Sequence, residues 1–387
     1  MLSFMDAAVY PAETEHDGQR KTAGPIEATP ALRDLKKQAK ERGLWNLFLP
    51  NPKWGAGLSN ADYAPLAEIM GRSIELAPEA TNCSAPDTGN MELLADFGSG
   101  RQQEQWLRPL LDGEIRSCFA MTEPAVASSD PRNLETSIVR DGDNYIVSGR
   151  KWWTTGAASS DCKVGIIMGV TEADGDPRRR FSMILVPMDA PGVNVERNLS
   201  VFGYDERGGH GVVAFENVRV PSSNLIGVPG DGYMIAQARL GPGRIHHCMR
   251  LIGMAERAFD LMVNRARSRT AFGSRIADKG VIQDWIAESR WRIEQARLLV
   301  LKTAWMLDEV GKKAARREIS AIKVVAPKTA LWVIDKAIQV HGAAGMSDDV
   351  PLARMWAHAR TLRIADGPDE VHNMVLARRE INRYEEK

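Results

Sequence analysis

Arg363-Ile364-Ala365-Asp366-Gly367-Pro368-Asp369-Glu370-Val371-His372 lies near the end of this 387-residue chain and separates two segments of helical period. Upstream, Leu352 to Leu362 is apolar-periodic; downstream, Val371, Met374, Val375 and Ile381 recur at helical spacing. Asp366-Gly367-Pro368 cannot continue a helix, because proline disfavours the α conformation in the residue before it and has no N–H to donate. The stretch therefore predicts two helices meeting at a tight bend that carries a carboxylate. Asp369 or Glu370 falls near the positive end of the second helix. A carboxylate on such a bend is either an N-cap aspartate or a general base aimed into a cleft, and local sequence leaves both open.

Working outward, residues 233–266, 281–310, 317–340 and 351–364 are long periodic segments, which predicts a C-terminal four-helix bundle. Pro327 should kink or interrupt the third. Before them the pattern is β: Thr136–Val139 and Tyr145–Ser148 flank the turn signal Asp141-Gly142-Asp143-Asn144. Further strand-like runs are Lys163–Val170, Phe181–Pro187, Val212–Phe215 and Val218–Val220. Nearer the N-terminus the chain is helical again. Leu32, Leu35, Ala39 and Leu44 fit one face, and helical patterns run through Tyr63–Leu76 and Asn90–Leu111. The organisation expected is α+β: an arm over 1–30, a helical domain over 31–117, a middle β-barrel or sandwich domain over 118–225 and the helical bundle over 226–387. The arm, rich in Pro, Glu, Thr and Gly, reads as loose or partly wrapped.

Lys plus Arg and Asp plus Glu number 50 each, for a formal net charge of zero. That balance gives no electrostatic footprint for nucleic acid or an anionic membrane. Arg178-Arg179-Arg180 reads as a solvated loop. Cys83, Cys118, Cys162 and Cys248 are scattered without metal-like spacing and read as reduced, buried thiols. With no apolar leader and no run longer than Val164–Val170, a soluble cytoplasmic protein is expected.

No P-loop, GxGxxG after a strand, HExxH or GxSxG is present. His246 and His247 are adjacent, so on a helix they diverge by about 100° and make a poor metal pair; both read as structural. What remains is a set of small and polar clusters at the seams between blocks. They are Phe119-Ala120-Met121-Thr122-Glu123-Pro124 with Ser128-Ser129-Asp130, Lys151-Trp152-Trp153-Thr154-Thr155-Gly156, Arg269-Thr270-Ala271-Phe272-Gly273, and Gln339-Val340-His341-Gly342-Ala343-Ala344-Gly345.

In this order, on an α-β-α layout, these clusters resemble the acyl-CoA dehydrogenase family of flavoproteins from about Pro30 onward. The likeness is to the members numbered ten and eleven in animals, where the module can be fused to a kinase-like domain. The resemblance implies FAD, an acyl-CoA substrate, a role in fatty-acid β-oxidation and an electron-transferring flavoprotein as acceptor. It places Phe119, Met121, Thr122, Trp153 and Thr155 at the flavin, with Met121 and Thr122 on its pyrimidine side and Thr155 at its N5 edge. Ser128 or Ser129 would touch the flavin phosphate and the CoA. Arg269, Phe272, Gln283, Gln339, Gly342 and Ala343 would reach the FAD of a neighbouring subunit, which implies a homodimer or homotetramer. Arg244 matches an arginine near the CoA and catalytic region. One of the family's base positions falls on Gly243, which cannot serve; the other falls on Asp366. Asp366 would take the α-proton and FAD N5 the β-hydride, while the flavin ribityl hydroxyl and the base residue's own N–H polarise the carbonyl. Gly367 would let the backbone approach the ligand.

The usual residue at this position is glutamate. One methylene less withdraws the carboxylate by roughly 1 Å, a misplacement worth on the order of 100-fold in rate. Either the backbone advances or the substrate differs, for instance by a 4-hydroxyl or phosphate group. Two alternatives stay open: an oxidase of nitroalkanes, which shares the architecture and uses an aspartate base, and a flavin-free scaffold.

Overall fold

The computed structural model describes residues 1–23, 27–172, 176, 179–205 and 208–385. Helix α1 is Tyr10–Ala23, preceded by helical Leu2–Phe4 and a π-turn over Met5–Val9; α2 is Pro30–Glu41, α3 Asn60–Gly71 and α4 Asp87–Phe97. Eight strands follow: β1 Arg116–Ala120, β2 Ser137–Asp141, β3 Asn144–Thr155, β4 Cys162–Val170, β5 Phe181–Pro187, β6 Val193–Leu199, β7 His210–Pro221 and β8 Leu225–Ile226. Then come α5 Gly232–Ser268, the two-strand hairpin β9 Thr270–Ala271 and β10 Ser274–Arg275, α6 Gly280–Ala314, α7 Arg316–His341, α8 Leu352–Thr361 and α9 Asp369–Glu385. The architecture is α+β, with N-terminal helices, a middle β domain and C-terminal helices.

These elements form two compact units. One comprises 11–57 and 79–243, the other 1–10, 58–78 and 244–387.

In the first unit the sheet runs β6-β7-β3-β2-β4-β5-β8, with β1 parallel on β4. Beyond β2 only the parallel pair Ser137–Val170 joins β2 to β4, so the sheet folds over at that point. Ile138, Val147 and Phe215 from one side pack with Cys118, Ile167 and Val186 from the other in one apolar cluster. The β2–β3 turn is two residues, with Gly142 at φ +61°, the first-position glycine that a type II′ turn requires. Val212–Phe215 and Val218–Val220, separate in the sequence pattern, are one strand. A bulge at Glu216-Asn217, where Asn217 is left-handed, opposes Ser148 of β3 and carries β7 past it.

The expectations for the N-terminal region need correction. Residues 2–23 are helical rather than loose, since Phe4, Met5 and Val9 are buried and His16 bonds to Thr29, the residue that caps α2. Leu44 lies beyond α2, which ends at Glu41 before left-handed Gly43. The 90–111 segment breaks at Gly98, and short helical pieces follow it. Arg178 falls outside the described residues; exposed Arg179 donates to the carbonyl of Pro229 at 2.7 Å.

In the second unit α3 and α5 touch backbone to backbone. A Cβ on Gly71 would lie 2.0 Å from the Arg250 carbonyl, and one on Gly253 would lie 1.7 Å from the Glu68 carbonyl. Only glycine allows that approach. Asp308 of α6 caps α3 by accepting from the N–H groups of Asn60 and Ala61 at 3.0 and 2.9 Å. Helix α7 runs unbroken through buried Pro327, so dense burial outweighs the lost helical bond. The α6 helix instead carries non-helical angles at Gly311.

Candidate functional site

The bend at 363–369 is built as its sequence dictates. Helix α8 ends at Thr361, whose carbonyl accepts from Ile364 and Ala365 N–H at 2.8 Å each. Asp366 is left-handed at φ +57° and Gly367 follows at +103°. Arg363 closes the loop: its carbonyl accepts from the Asp369 N–H at 3.1 Å and its Nε donates to the Asp369 carboxylate at 2.7 Å. Helix α9 begins at Asp369, three residues past Asp366, so Asp366 does not occupy its N-cap position.

Two side chains grip the Asp366 main chain. Arg244 Nε donates to its carbonyl at 2.9 Å and His372 Nε2 donates to the same oxygen at 3.2 Å. The carboxylate faces His247, with Oδ2 3.6 Å from Nε2, and keeps 22% of its side-chain surface open. Beneath lies Lys323, buried, donating its Nζ to the Leu362 carbonyl. Burial lowers Lys323, while Asp366 and Cys248 oppose that shift. Burial also lowers His372 to about 4, reinforced by Arg244 and Lys323, and pushes the Cys248 thiol up to about 12. Burial likewise lowers His247, to about 3, so His247 and His372 are both neutral near pH 7. The arrangement is a carboxylate on a left-handed residue, its main chain held by Arg244 and His372 and its side chain facing His247, which suits proton abstraction.

Sequence reading placed Arg244, Asp366 and Gly367 here and missed His247, Lys323 and His372. Exclusion of a metal pair left His246 and His247 both structural. For His246 the structure agrees: it is buried, with its ring 5.0 Å from that of Tyr63. His247 instead turns toward the carboxylate. Among the described residues no cluster of three His, Cys, Asp or Glu is arranged to hold a metal.

The predicted flavin residues divide between the units. In the β unit, Phe119 lies on β1 under the Arg239 guanidinium, 4.0 Å from its ring centroid. Arg239 Nε in turn donates to Asn90 at 2.9 Å. Met121 and Thr122 follow β1 and are pinned through their carbonyls, by Lys151 Nζ at 2.8 Å and Trp152 N–H at 3.0 Å. Lys151 is fully buried and pairs with Glu123 at 2.8 Å. Burial lowers Lys151 to about 8, while Glu123 works against the shift. Trp153 sits in a β3 bulge at φ +51°, its ring 41% exposed and tilted against His210 at 5.3 Å. Thr155 bonds to His210 Nδ1 at 3.0 Å. Ser128 Oγ accepts from the Glu123 N–H at 2.9 Å, whereas Ser129 is exposed. A cleft of about 490 Å3 in the same unit is lined by Glu123, Ala125, Thr136, Gly149 and Arg150, and by none of the predicted flavin residues.

The remaining six lie on the surface of the helical unit. Arg269 joins α5 to the β9–β10 hairpin, and Phe272 at its tip is 99% exposed. Gln283, on the first turn of α6, donates to the Ala277 carbonyl at 3.1 Å. Exposed Gln339, Gly342 and Ala343 stand at the C-terminal end of α7.

Comparison with known proteins covers nearly the whole chain. Residues 2–114, 118–218 and 230–381 match the N-terminal, middle and C-terminal domain models of acyl-CoA dehydrogenase. The probable acyl-CoA dehydrogenase FadE2 of Mycobacterium tuberculosis is 58% identical, over 99% of this chain and 94% of its own length. Acyl-CoA dehydrogenase family member 10 of Mus musculus is 53% identical over 98% of this chain, which spans only 36% of that protein. A solved Mycobacterium abscessus protein, described as a candidate acyl-CoA dehydrogenase, superposes with a TM-score of 0.95 at 53% identity, covering 98% of this chain and 96% of that one.

Proposed function

The chain belongs to the acyl-CoA dehydrogenase family, and from that premise we propose that it desaturates the Cα–Cβ bond of an acyl-CoA thioester with Asp366 as the base. It is an oxidoreductase acting on CH–CH bonds, with FAD as cofactor. The observation that carries the assignment of the base is the bend itself. A part-exposed carboxylate stands on a left-handed residue whose carbonyl is held by Arg244 and His372.

The residues of the β unit fit a flavin. Trp153 offers a flat, half-open aromatic face, and the Thr122 hydroxyl has no partner among the described residues. FAD supplies the acceptor for the two electrons and the hydrogen lost at the β-carbon. Phe119, Met121, Thr122, Trp153 and Thr155 hold the ring system, with Ser128 toward the phosphate and Ser129 toward the CoA. Arg269, Phe272, Gln283, Gln339, Gly342 and Ala343 reach the cofactor of a second copy, in a homodimer or homotetramer. An electron-transferring flavoprotein takes the electrons onward.

An acyl thioester α-proton is weakly acidic, so its removal needs a polarised carbonyl and a base shielded from water. Asp366 accepts that proton on its carboxylate. Arg244 orients the Asp366 main chain, and Gly367 keeps the backbone beside it free of a side chain.

The test is a panel of acyl-CoA thioesters with a dye acceptor, run beside Asp366→Asn. Loss of a general base costs on the order of 10²–10⁴ in rate. An Asp366→Asn enzyme as fast as the parent overturns the assignment of the base. Anaerobic flavin bleaching by a nitroalkane and by no acyl-CoA overturns the substrate class.

A further inference from the structure

His246 and His247 share one turn of α5 and meet different surroundings. His247 directs Nε2 toward the Asp366 carboxylate, 3.6 Å away, while its Nδ1 lies 3.3 Å from Nη2 of Arg250 one turn further along. A guanidinium can only donate, so Nδ1 is the acceptor and carries no proton. Burial, followed by Arg250, pushes His247 down to about 3, with Asp366 pulling the other way. The ring is therefore neutral, and its one N–H is on Nε2, facing the carboxylate.

We propose that His247, locked as the Nε2–H tautomer by Arg250, is the positioning residue that aims the Asp366 carboxylate. This rests on Asp366 being the base. At 3.6 Å the contact is longer than a hydrogen bond. Catalytic hydrogen bonds are often long before substrate binds and tighten in the loaded site. The groups around this pair also make bonds of their own. Arg244 and His372 donate to the Asp366 carbonyl and Lys323 to that of Leu362. Cys248 donates to the Ile322 carbonyl, and Asp369 takes Arg363. Lys323 and His358, the latter on α8, also oppose protonation of His247. Closed to hydrogen-bond length, His247 would set a neutral donor on the carboxylate itself, which favours its charged form.

Holoenzyme is compared with His247→Leu, which keeps volume without a donor, with His247→Gln, which keeps an N–H, and with Asp366→Asn. All are brought to matched flavin content. Anaerobic flavin reduction by a butyryl- to palmitoyl-CoA panel is followed across about pH 5 to 9. The Leu variant should move the acid limb of kcat/KM upward by about one pH unit and slow the reaction at the acid end about tenfold. The Gln variant should return both to within about threefold of the parent. A limb unmoved in the Leu variant, or a Gln variant no better than Leu, overturns the role of His247. An Asp366→Asn enzyme that stays fast overturns the base assignment instead, so the two failures are distinct. A readout free of turnover is the nitrogen-edited spectrum of histidine-labelled protein. The signal that disappears in His247→Gln should carry the neutral Nε2–H pattern, and a neutral Nδ1–H or doubly protonated pattern overturns the proposal.

Discussion

Lys151 and Glu123 form an ion pair of 2.8 Å in which neither side chain is more than 4% exposed. The pair does two jobs. Lys151 also donates to the Met121 carbonyl at 2.8 Å, and the Glu123 carboxylate accepts from the N–H groups of Glu135 and Thr136 at 2.8 and 2.9 Å. Together these bonds tie the segment after β1 to β3 and to the entry of β2, and so fix the edge proposed to meet the flavin.

Lys151→Met should therefore be costly. Removing one partner of a buried pair strands the other charge, at about 3–5 kcal/mol. Adding Glu123→Gln should recover part of that loss, since the double variant buries no unpaired charge. Urea unfolding measures the stabilities, and FAD per chain in the purified proteins measures the site. A single variant as stable as the parent removes the pair from this role.

Phe272 raises the opposite expectation. Its ring is 99% exposed and its backbone left-handed at φ +52°. A non-glycine residue pays about 1 kcal/mol for that conformation, with no packing in the lone chain to offset it. Phe272→Gly should leave the separate chain as stable or slightly more so. If the ring reaches a second copy, the same change should shift sedimentation toward smaller species and lower FAD retention. Unchanged assembly and flavin content would remove Phe272 from the subunit interface.

Gly367→Ala probes the bend without changing Asp366, the proposed base. A Cβ there would lie 3.0 Å from His372 Nε2, at φ +103°, a conformation that side chains rarely adopt. The added methyl must displace His372, one of the two groups holding the Asp366 carbonyl. A misplacement of about 1 Å at a base costs on the order of 100-fold, and His372 need give by only a few tenths of an ångström. Flavin reduction should slow by about tenfold while FAD content stays at the parent's level. Rapid reduction in the Ala variant would show that His372 does not govern the position of Asp366.

Much of this layout is legible in local sequence. Asp366-Gly367-Pro368 announces its bend through backbone chemistry, and Gly142 announces its turn. The clusters at 119–130, 151–156, 269–273 and 339–345 stand out because they sit at seams where periodicity fails. What local pattern cannot carry is long-range pairing. His247 meets Asp366 only because α5 and the α8–α9 bend pack together, and nothing around Cys248 signals it. Likewise the N-terminal helix looked loose by composition, whereas distant burial of Phe4, Met5 and Val9 decides it. Pro327 follows the same rule: its local cost is real, and the packing around α7 overrides it.

The pH dependence of stability supplies the last prediction. Burial lowers His372 to about 4 in the folded chain, against about 6.5 for an unfolded histidine. Between those values the unfolded state binds the proton and the folded state does not. Unfolding free energy must then rise with pH across that window. The contribution is complete above about pH 6.5 and is lost as pH falls toward 4. Its size, from the gap between the two values, is on the order of 3 kcal/mol. His247, held at about 3, has the same sign, so removing one histidine should shrink the slope without abolishing it. His372→Gln is the appropriate change, because the amide N–H can still donate to the Asp366 carbonyl and cannot titrate. Urea unfolding at steps from about pH 4 to 7 should show a shallower rise for the variant than for the parent. Parallel slopes would mean that His372 takes up its proton without cost in the fold, and the neutral donor assigned to it would have to be abandoned.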